Sequence, residues 1–561
     1  MRPARLRHSL FMVLVTLFAA DLHAQFTRAD SLRGGLPPER TCYDVRTYHL
    51  DVRIDPADSS VRGSNTIVFT GVEPSRIIQL DLFANMDLGR VTLDGSSESL
   101  PLTRELGAFF VRLPKPLEVG RDYTLRVEYG GKPQVAKMPP WDGGFTWTRD
   151  SSGQPWVAVT CQGTGASLWW PNKDHQADEP DSMMLSVTVP PGLHNVSNGR
   201  LRATTTQPNG WTRSDWSISY PINNYNVTVN IGRFAHLADT WTNASGTALT
   251  LDYYVLPENT DAARKQFAEV KDMMACFERS FGPYPFYRDG YKLVESPHLG
   301  MEHQTAVAYG NKYVNGYRGR STSQIGVAFD FIVIHESAHE WWGNSVTSKD
   351  IADMWIHESF GAYAEAVYVE CRWGKEEAMT YVNGKKPNVR NDRPIIGTPG
   401  VNHEGSGDMY DKGQLVLNTL RHVVDNDALW TAALRGLQER YRLSTVTAQD
   451  IFSFIDSTTK ADHATFYDQY FRGTKIPRLD VRVTKKGSDV KAQYRWATDV
   501  AGFSMPAVLF LGGGKTQRVQ ATTNWQSLAL PGVDPRDIAV DETHFYITSD
   551  VRRSYIDERV N

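Results

Sequence analysis

The chain has 561 residues, which is enough for roughly three or four domains. Hydrophobic residues make up 41% and charged residues 22%, the composition of an ordinary globular protein with material for several cores. The formal net charge of −4 includes no basic surplus, which argues against nucleic acid or an anionic membrane surface as a partner.

Residues 1–24 have the pattern of a secretory signal peptide. Three arginines precede an apolar run over residues 10–20, and the small residue Ala24 precedes Gln25. The apolar run is too short to cross a bilayer about 30 Å thick, so no stable membrane anchor is expected. We expect cleavage after the leader and a secreted or periplasmic protein.

The rest of the chain divides into three patterned regions. Residues 25–240 alternate between polar and apolar, as in "YHLDVRIDPADSSVRGSNTIVF", and predict an N-terminal antiparallel β domain. A 3.6-residue period begins near Asp261, in "DAARKQFAEVKDMMACFERSFG", and predicts a mainly helical domain over residues 241–473. Residues 474–561 return to alternation and predict a small C-terminal β-sandwich. The expected fold class is multidomain α+β.

Four cysteines, Cys42, Cys161, Cys276 and Cys371, are too few for a disulfide scaffold and lack zinc-finger spacing. Cys276 and Cys371 fall within helical patterns. The favoured interpretation of these two is a pair of buried thiols.

The segment "FIVIHESAHEWWGNSVT" carries the first chemical signal. His335 and His339 are four residues apart, so one face of a helix presents both to a single metal ion. Glu336 lies beside them, where its carboxylate can reach a water molecule on the metal. The alternative is a buried helix that carries two histidines by chance.

A catalytic zinc site needs three protein ligands and one open position. Glu358, in the apolar helical segment "ADMWIHESFGAYAEAVYVE", follows His339 after eighteen residues and is the predicted third ligand. The neighbouring His357 is a competing ligand, and a solvated helix charge is the other interpretation of Glu358.

His335-Glu336-x-x-His339, eighteen residues and Glu358 together resemble the zinc signature of the gluzincin aminopeptidases, the family of aminopeptidase N and leukotriene hydrolase. The continuation "HEWWGNSVT" is similar to that family's sequence after the second histidine. The resemblance implies a thermolysin-like catalytic domain that holds one zinc ion and uses Glu336 as general base.

Two further segments resemble substrate-binding motifs of this family. In "PHLGMEHQTAVAYG" the match implies that Glu302 binds the α-amino group and that Gly300 and Met301 line the peptide. Leu299 and His303 depart from the family's Gly-x-Met-Glu-Asn pattern, and His303 would add a titratable group at this edge.

The remaining matches complete the implied site. "MYDKGQLVLNTL" resembles the start of a catalytic-domain helix and assigns oxyanion stabilisation to Tyr410. "TCQGTGASLWW" resembles a segment that reaches the active site from the β domain, where Gln162 would assist Glu302 with the amine.

The implied function is that of a zinc metallo-aminopeptidase acting on peptides with a free N-terminus. Rival hypotheses are a zinc endopeptidase, a lipid-epoxide hydrolase on the same site, and a non-catalytic binding protein that retains the fold. The resemblance ends near Phe471, and the residues after Thr474 leave no room for the large C-terminal helical domain usual in aminopeptidase N-like members. We therefore expect a more open cleft, or one closed by another subunit; the sequence does not indicate the oligomeric state.

Overall fold

The structure is a computed structural model that describes residues 26–556, so the predicted leader lies outside the described residues. Its first part contains two short helices, α1 (Arg28–Gly34) and α2 (Pro38–Thr41), followed by fourteen strands. The strands are β1 (Tyr43–Asp55), β2 (Ser60–Gly71), β3 (Ile77–Asp81), β4 (Met86–Leu93), β5 (Leu102–Glu105), β6 (Ala108–Arg112), β7 (Asp122–Gly131), β8 (Gly144–Arg149), β9 (Pro155–Thr160), β10 (Ser182–Val189), β11 (His194–Val196), β12 (Arg200–Thr206), β13 (Thr212–Ile218) and β14 (Asn230–Gly232).

These strands form a large sheet and two smaller ones. The seven-stranded sheet has the order β12-β13-β10-β1-β2-β7-β4, the four-stranded sheet β11-β14-β9-β8, and the three-stranded sheet β3-β6-β5. Their pairing is antiparallel except between β1 and β10, which run parallel. Parallel strands need a long crossover connection, and residues 72–181, between β2 and β10, provide one.

The middle of the chain combines one mixed sheet with a group of helices. The sheet has the order β15-β16-β17-β19-β18. Its strands are β15 (Ala235–Thr242), β16 (Ala248–Val255), β17 (Tyr291–Glu295), β18 (Gly300–Met301) and β19 (Val307–Tyr309). β15 extends across the predicted boundary at residues 240/241 and pairs with β16 along its whole length, so this hairpin belongs to the middle sheet.

The helices of this region include the one that carries the zinc-binding motif. They are α3 (Thr260–Gln266), α4 (Glu269–Phe281), α5 (Phe331–Ala338), α6 (Trp355–Trp373), α7 (Lys375–Asn383), α8 (Asp411–Val424), α9 (Asp427–Tyr441), α10 (Ala448–Thr459) and α11 (Ala464–Tyr470). The two-stranded parallel sheet of β20 (Val346–Ser348) and β21 (Ser444–Val446) ties the segment after α5 to the segment after α9. Within the described residues, none of these helices is both long and apolar enough to cross a membrane.

The C-terminal part consists of two facing sheets, as predicted. They have the orders β26-β23-β22-β28 and β25-β24-β27. The strands are β22 (Arg478–Lys486), β23 (Asp489–Ala497), β24 (Ser504–Phe510), β25 (Thr516–Thr522), β26 (Gln526–Ala529), β27 (Ala539–Val540) and β28 (Thr548–Ile556). Their apolar faces share one continuous core with the helices. The expected α+β fold class is thereby confirmed.

The interpretation of Cys276 and Cys371 as buried thiols is wrong. The two side chains form a disulfide that joins α4 to α6 across a sequence separation of 95 residues. Sequence periodicity places each cysteine on a helix but does not show that the two helices pack side by side with Cα atoms 6.0 Å apart. Cys42 and Cys161 remain free and buried.

Candidate active site

Helix α5 presents the zinc-binding motif to a cleft of about 270 Å³. Asp330 caps its N-terminus, where the carboxylate accepts hydrogen bonds from the backbone N–H groups of Ile332 and Val333. The helix is shorter than its pattern suggests, because it ends at Ala338 and His339 forms the C-cap. His339 keeps helical backbone angles there, so it stays on the same face as His335.

His335, His339 and Glu358 converge at one point. The two Nε2 atoms are 3.3 Å apart, and Oε2 of Glu358 lies 3.7 Å from Nε2 of His335 and 3.5 Å from Nε2 of His339. A tetrahedral zinc ion with bonds of about 2.0–2.1 Å separates its ligands by about 3.3–3.4 Å. The triangle of donors therefore fits a zinc ion.

The hydrogen bonds of these three side chains also indicate a metal ion. Oε2 of Glu358 is buried and has no hydrogen-bond partner among the described residues, which is costly for a carboxylate oxygen unless a cation meets it. Nδ1 of His335 faces Glu365 at 2.7 Å, and Nδ1 of His339 faces the carbonyl of Trp342 at 2.9 Å. Protons on both Nδ1 atoms leave both Nε2 lone pairs free for a metal.

His357 is not part of this group. Its Nε2 accepts a hydrogen bond from the backbone N–H of Ser348 at 2.8 Å, and its Nδ1 faces the Tyr225 hydroxyl at 3.4 Å. Both ring nitrogens are thus engaged away from the other donors. Among the described residues, His335, His339 and Glu358 are the group of three that could hold a metal ion.

Glu336 lies on the floor of the cleft beside the metal ligands, with 8% of its surface exposed. Burial raises the pKa of its carboxyl to about 7; His335 opposes this shift, and the carboxylates of Glu358 and Glu365 add to it. Gly300 passes directly over this group, where a Cβ would meet Oε1 of Glu336 at 2.6 Å. The backbone next to Glu336 can come this close only because residue 300 is glycine.

Glu302 and Gln162 close one end of the cleft. Nε2 of Gln162 donates to Oε1 of Glu302 at 2.6 Å and to Oε1 of Glu358 at 2.7 Å. The Tyr225 hydroxyl donates to Oε1 of Glu302 at 3.0 Å. Asn344 binds the Glu302 carbonyl through Nδ2 at 2.9 Å, which fixes the backbone as well.

Tyr410 precedes α8 and faces the metal ligands from the opposite wall. Its ring stacks on His335 with centroids 6.0 Å apart, and 39% of the residue stays exposed to the cleft. Burial of the hydroxyl within the cleft, with the carboxylates of Glu358 and Glu302 nearby, raises the pKa of this phenol well above 10. Tyr410 therefore keeps its proton as a hydrogen-bond donor.

Leu299 and His303, the two departures from the family pattern, have different surroundings. Leu299 is 7% exposed and lines the cleft beside Met301. His303 is fully buried outside the cleft lining, and burial with His298 nearby lowers its pKa well below 6.5. His303 therefore stays neutral and adds no charge to the edge of the site.

The structure also reveals supporting residues that sequence reasoning missed. Glu365 accepts from His335, from the Tyr381 hydroxyl, and from Lys385 at 3.2 Å. Its spacing was a usable signal, since Glu365 follows Glu358 by two helical turns on the same face of α6. Lys385, Tyr381 and Tyr225 carry no such signal, because their contacts depend on how distant segments pack.

Comparison with known proteins agrees with this geometry. Residues 266–470 match the model of the Peptidase family M1 domain. Endoplasmic reticulum aminopeptidase 1 of Homo sapiens is 23% identical over 493 residues, 83% of this chain and 51% of that protein. Aminopeptidase B of Rattus norvegicus is 22% identical over 458 residues, 73% of this chain and 65% of that protein. The chain thus spans about half to two thirds of the length of these relatives.

A solved structure shows the same fold. The M1 zinc metallopeptidase from Deinococcus radiodurans matches with a TM-score of 0.64 at 20% identity, over 77% of this chain and 95% of that one. The fold is that of this solved structure, and the donor set of His335, His339 and Glu358 is one that could hold a zinc ion. The chain carries a peptidase family M1 domain, and the family resemblance drawn from the motifs is confirmed.

Proposed function

We propose that this protein is a single-zinc aminopeptidase that removes the N-terminal residue from peptides. The observation that carries the proposal is the position of Glu302, a buried carboxylate bonded to Gln162 at one end of the metal cleft. A carboxylate in this place binds the ammonium group of a free N-terminus and sets the first peptide bond beside the metal ligands.

The buried carboxylates of the cleft favour the binding of two cations. Glu302, Glu336 and Glu358 are all buried, and burial followed by the Glu358 and Glu336 charges raises the pKa of Glu302 well above its usual value. Buried like charges are costly unless opposite charges meet them. A zinc ion at Glu358 and a substrate ammonium at Glu302 meet this requirement together.

His335, His339 and Glu358 would hold a zinc ion, which would supply Lewis-acid activation of a water molecule and of the substrate carbonyl. Glu336 accepts a proton from the attacking water and passes it to the leaving amine, as general base and then general acid. Its partly raised pKa suits both roles, because the carboxyl can hold and release the proton near neutral pH.

Tyr410 donates a hydrogen bond from its phenolic O–H to the carbonyl oxygen, which gains negative charge as the carbonyl carbon becomes tetrahedral. A neutral donor across from His335 stabilises this charge without repelling the zinc ion. Leu299, Gly300 and Met301 form the wall along which the substrate backbone lies.

Known proteins add support. Two relatives of this chain are named aminopeptidases, and a mutant of the Deinococcus radiodurans enzyme is described as bound to a Tyr-Ser-Ala substrate. The experiment is a screen of fluorogenic aminoacyl amides, each with its N-acetylated twin and each with and without a zinc chelator. We expect hydrolysis of the free amines alone, abolished by the chelator. Equal cleavage of the N-acetylated twins would show that no free amine is needed and would favour an endopeptidase, and no cleavage of any substrate would overturn the proposal.

We also propose that the protein is exported as a secreted or periplasmic enzyme. The leader pattern of residues 1–24 supports export, and so does the Cys276–Cys371 disulfide, since such bonds persist in oxidising compartments. Fractionation of cells that express the chain with and without residues 1–24 tests this. Retention of both forms in the cytoplasm would contradict it.

A further inference from the structure

A second cavity of about 810 Å³ adjoins the catalytic cleft, and we call it the basic alcove. Tyr317 and Phe331 line both spaces, so the alcove is a lateral continuation of the cleft. Arg318, Arg320, Lys385 and Asp411 supply its charged groups. Its volume falls in the range of about 300–1,000 Å³ typical of ligand pockets.

The alcove lies on the leaving-group side of the scissile bond. Gln162 and Glu302 mark the end of the cleft that receives the substrate amine, and neither of them lines the alcove. The cleft meets the alcove instead at Phe331, whose ring stacks on His335 with centroids 5.2 Å apart. A peptide with its amine at Glu302 and its first peptide bond at the metal ligands therefore extends past Phe331 into the alcove.

The charges of the alcove are not balanced. The Lys385 ammonium is matched by Glu365 at 3.2 Å and Asp411 at 3.6 Å. Arg318 and Arg320 are exposed, and neither forms a salt bridge with any carboxylate among residues 26–556. Two guanidinium groups thus face the alcove without an anionic partner, a state that favours an anionic ligand.

Two aromatic rings hold the Arg318 guanidinium at the place where the cleft meets the alcove. The Arg318 guanidinium lies 5.4 Å from the Trp141 ring and 5.8 Å from the Tyr317 ring. Trp141 and Tyr317 both line the cleft, so the charge stands where the cleft opens into the alcove. Stacking leaves the N–H edge of a guanidinium free to bind a carboxylate.

We propose that Arg318 and Arg320 bind a carboxylate of the substrate on the leaving-group side, so that the enzyme prefers short peptides with a free C-terminus or peptides with acidic residues after the first. This inference deepens the proposed aminopeptidase function and rests on it. One chemical group, a carboxylate, is recognised in both cases, and its two sources are separated by the substrates below.

The test compares kcat/KM for four substrates with a common N-terminal alanine. Ala-Ala-Ala as the free acid carries a terminal carboxylate, its C-terminal amide carries none, and Ala-Ala-Glu amide carries only a side-chain carboxylate. A fluorogenic alanyl amide, which ends at the cleft, reports the basal reaction. The enzymes are the wild type, the double variant Arg318→Met with Arg320→Met, the charge-preserving double variant to Lys, and Lys312→Met as an exposed control from the same loop.

We expect the wild type to prefer a carboxylate-bearing peptide over Ala-Ala-Ala amide by about tenfold, the effect of one charge-assisted hydrogen bond. The Met double variant should lose this preference and keep the alanyl amide rate. The Lys double variant should keep part of the preference, and Lys312→Met should keep all of it. Preference for the free acid alone identifies the C-terminal carboxylate, and preference for the Glu peptide identifies the side chain.

Equal kcat/KM for all three peptides in a wild type that hydrolyses the alanyl amide would overturn this inference and leave the aminopeptidase function intact. A preference that survives in the Met double variant would overturn it as well. A wild type that fails on the alanyl amide would refute the proposed function itself, so the two failures are distinguishable.

Discussion

Nδ1 of His335 lies 2.7 Å from Oε1 of Glu365, and both side chains are almost completely buried. This bond fixes the imidazole tautomer and ring orientation that direct Nε2 to the zinc position. Glu365 also accepts hydrogen bonds from Tyr381 on α7 and from Lys385 in the turn after α7. These bonds connect His335 to that part of the fold.

Glu365→Gln should therefore weaken zinc binding by about 10- to 100-fold, because the amide is a poorer acceptor for the His335 proton. Competition with a chromogenic chelator measures the dissociation constant. Glu376→Gln, an exposed neutral substitution on α7, is the control and should bind zinc like the wild type. Unchanged affinity in the Glu365 variant would show that the bond does not support the ligand.

Glu336→Gln should keep one zinc ion per chain and lose about 10²–10⁴-fold in kcat, because the amide cannot accept the proton of the attacking water. Metal analysis and kinetics on one aminoacyl amide provide both readouts. Near-normal turnover in this variant would exclude Glu336 as the general base.

Tyr410→Phe should lower kcat by about 10²–10³-fold with little change in KM and no loss of zinc. The phenolic proton is needed only when negative charge develops on the carbonyl oxygen, so binding of the ground state should be spared. Tyr555→Phe removes an exposed hydroxyl on β28 and should have wild-type kinetics. A rise in KM alone would assign Tyr410 to substrate binding instead.

Glu302→Gln should reduce kcat/KM for aminoacyl amides by about 10- to 100-fold, the loss of a hydrogen bond to a charged group. Gln162 should remain bonded to Glu358, so zinc content should stay at one ion per chain. Full activity of the variant on free-amine substrates would remove Glu302 from the role of amine anchor.

Cys276→Ser combined with Cys371→Ser should lower the free energy of unfolding by roughly 2–4 kcal/mol, because a long loop of the unfolded chain is no longer closed. Chemical denaturation of the oxidised wild type and the double variant measures the difference. The kinetic constants should change little, since the disulfide joins the middle of α4 to the C-terminal end of α6, whereas Glu358 lies in the first turn of α6. Equal stability would contradict the expected contribution.

The zinc-binding group could be predicted from sequence because its geometry is largely local. Helical spacing puts His335 and His339 on one face, and a donor of the right type follows at a distance that a short connection and a helix can span. The β, helical and β regions were likewise visible, since each follows its own periodicity.

Other features depend on packing between distant segments and could not be predicted. The Cys276–Cys371 bond requires that α4 and α6 lie side by side, and the network around Glu365 requires Lys385 to fold back over Phe331. His303 is fully buried, and its burial is likewise a result of tertiary packing. Spacing along the chain contains none of this information.

The two hydrogen bonds that the Gln162 side chain donates have a consequence for the site as a whole. Its amide comes from the N-terminal β region, yet it donates to Glu302, which we propose as the amine anchor, and to Glu358 of the zinc-binding group. Glu358 divides its two oxygens between partners, with Oε1 turned to the amide and Oε2 left for the metal. If Glu302 binds the substrate amine as proposed, a shift of the β region would therefore disturb the amine-binding carboxylate and the zinc ligand together.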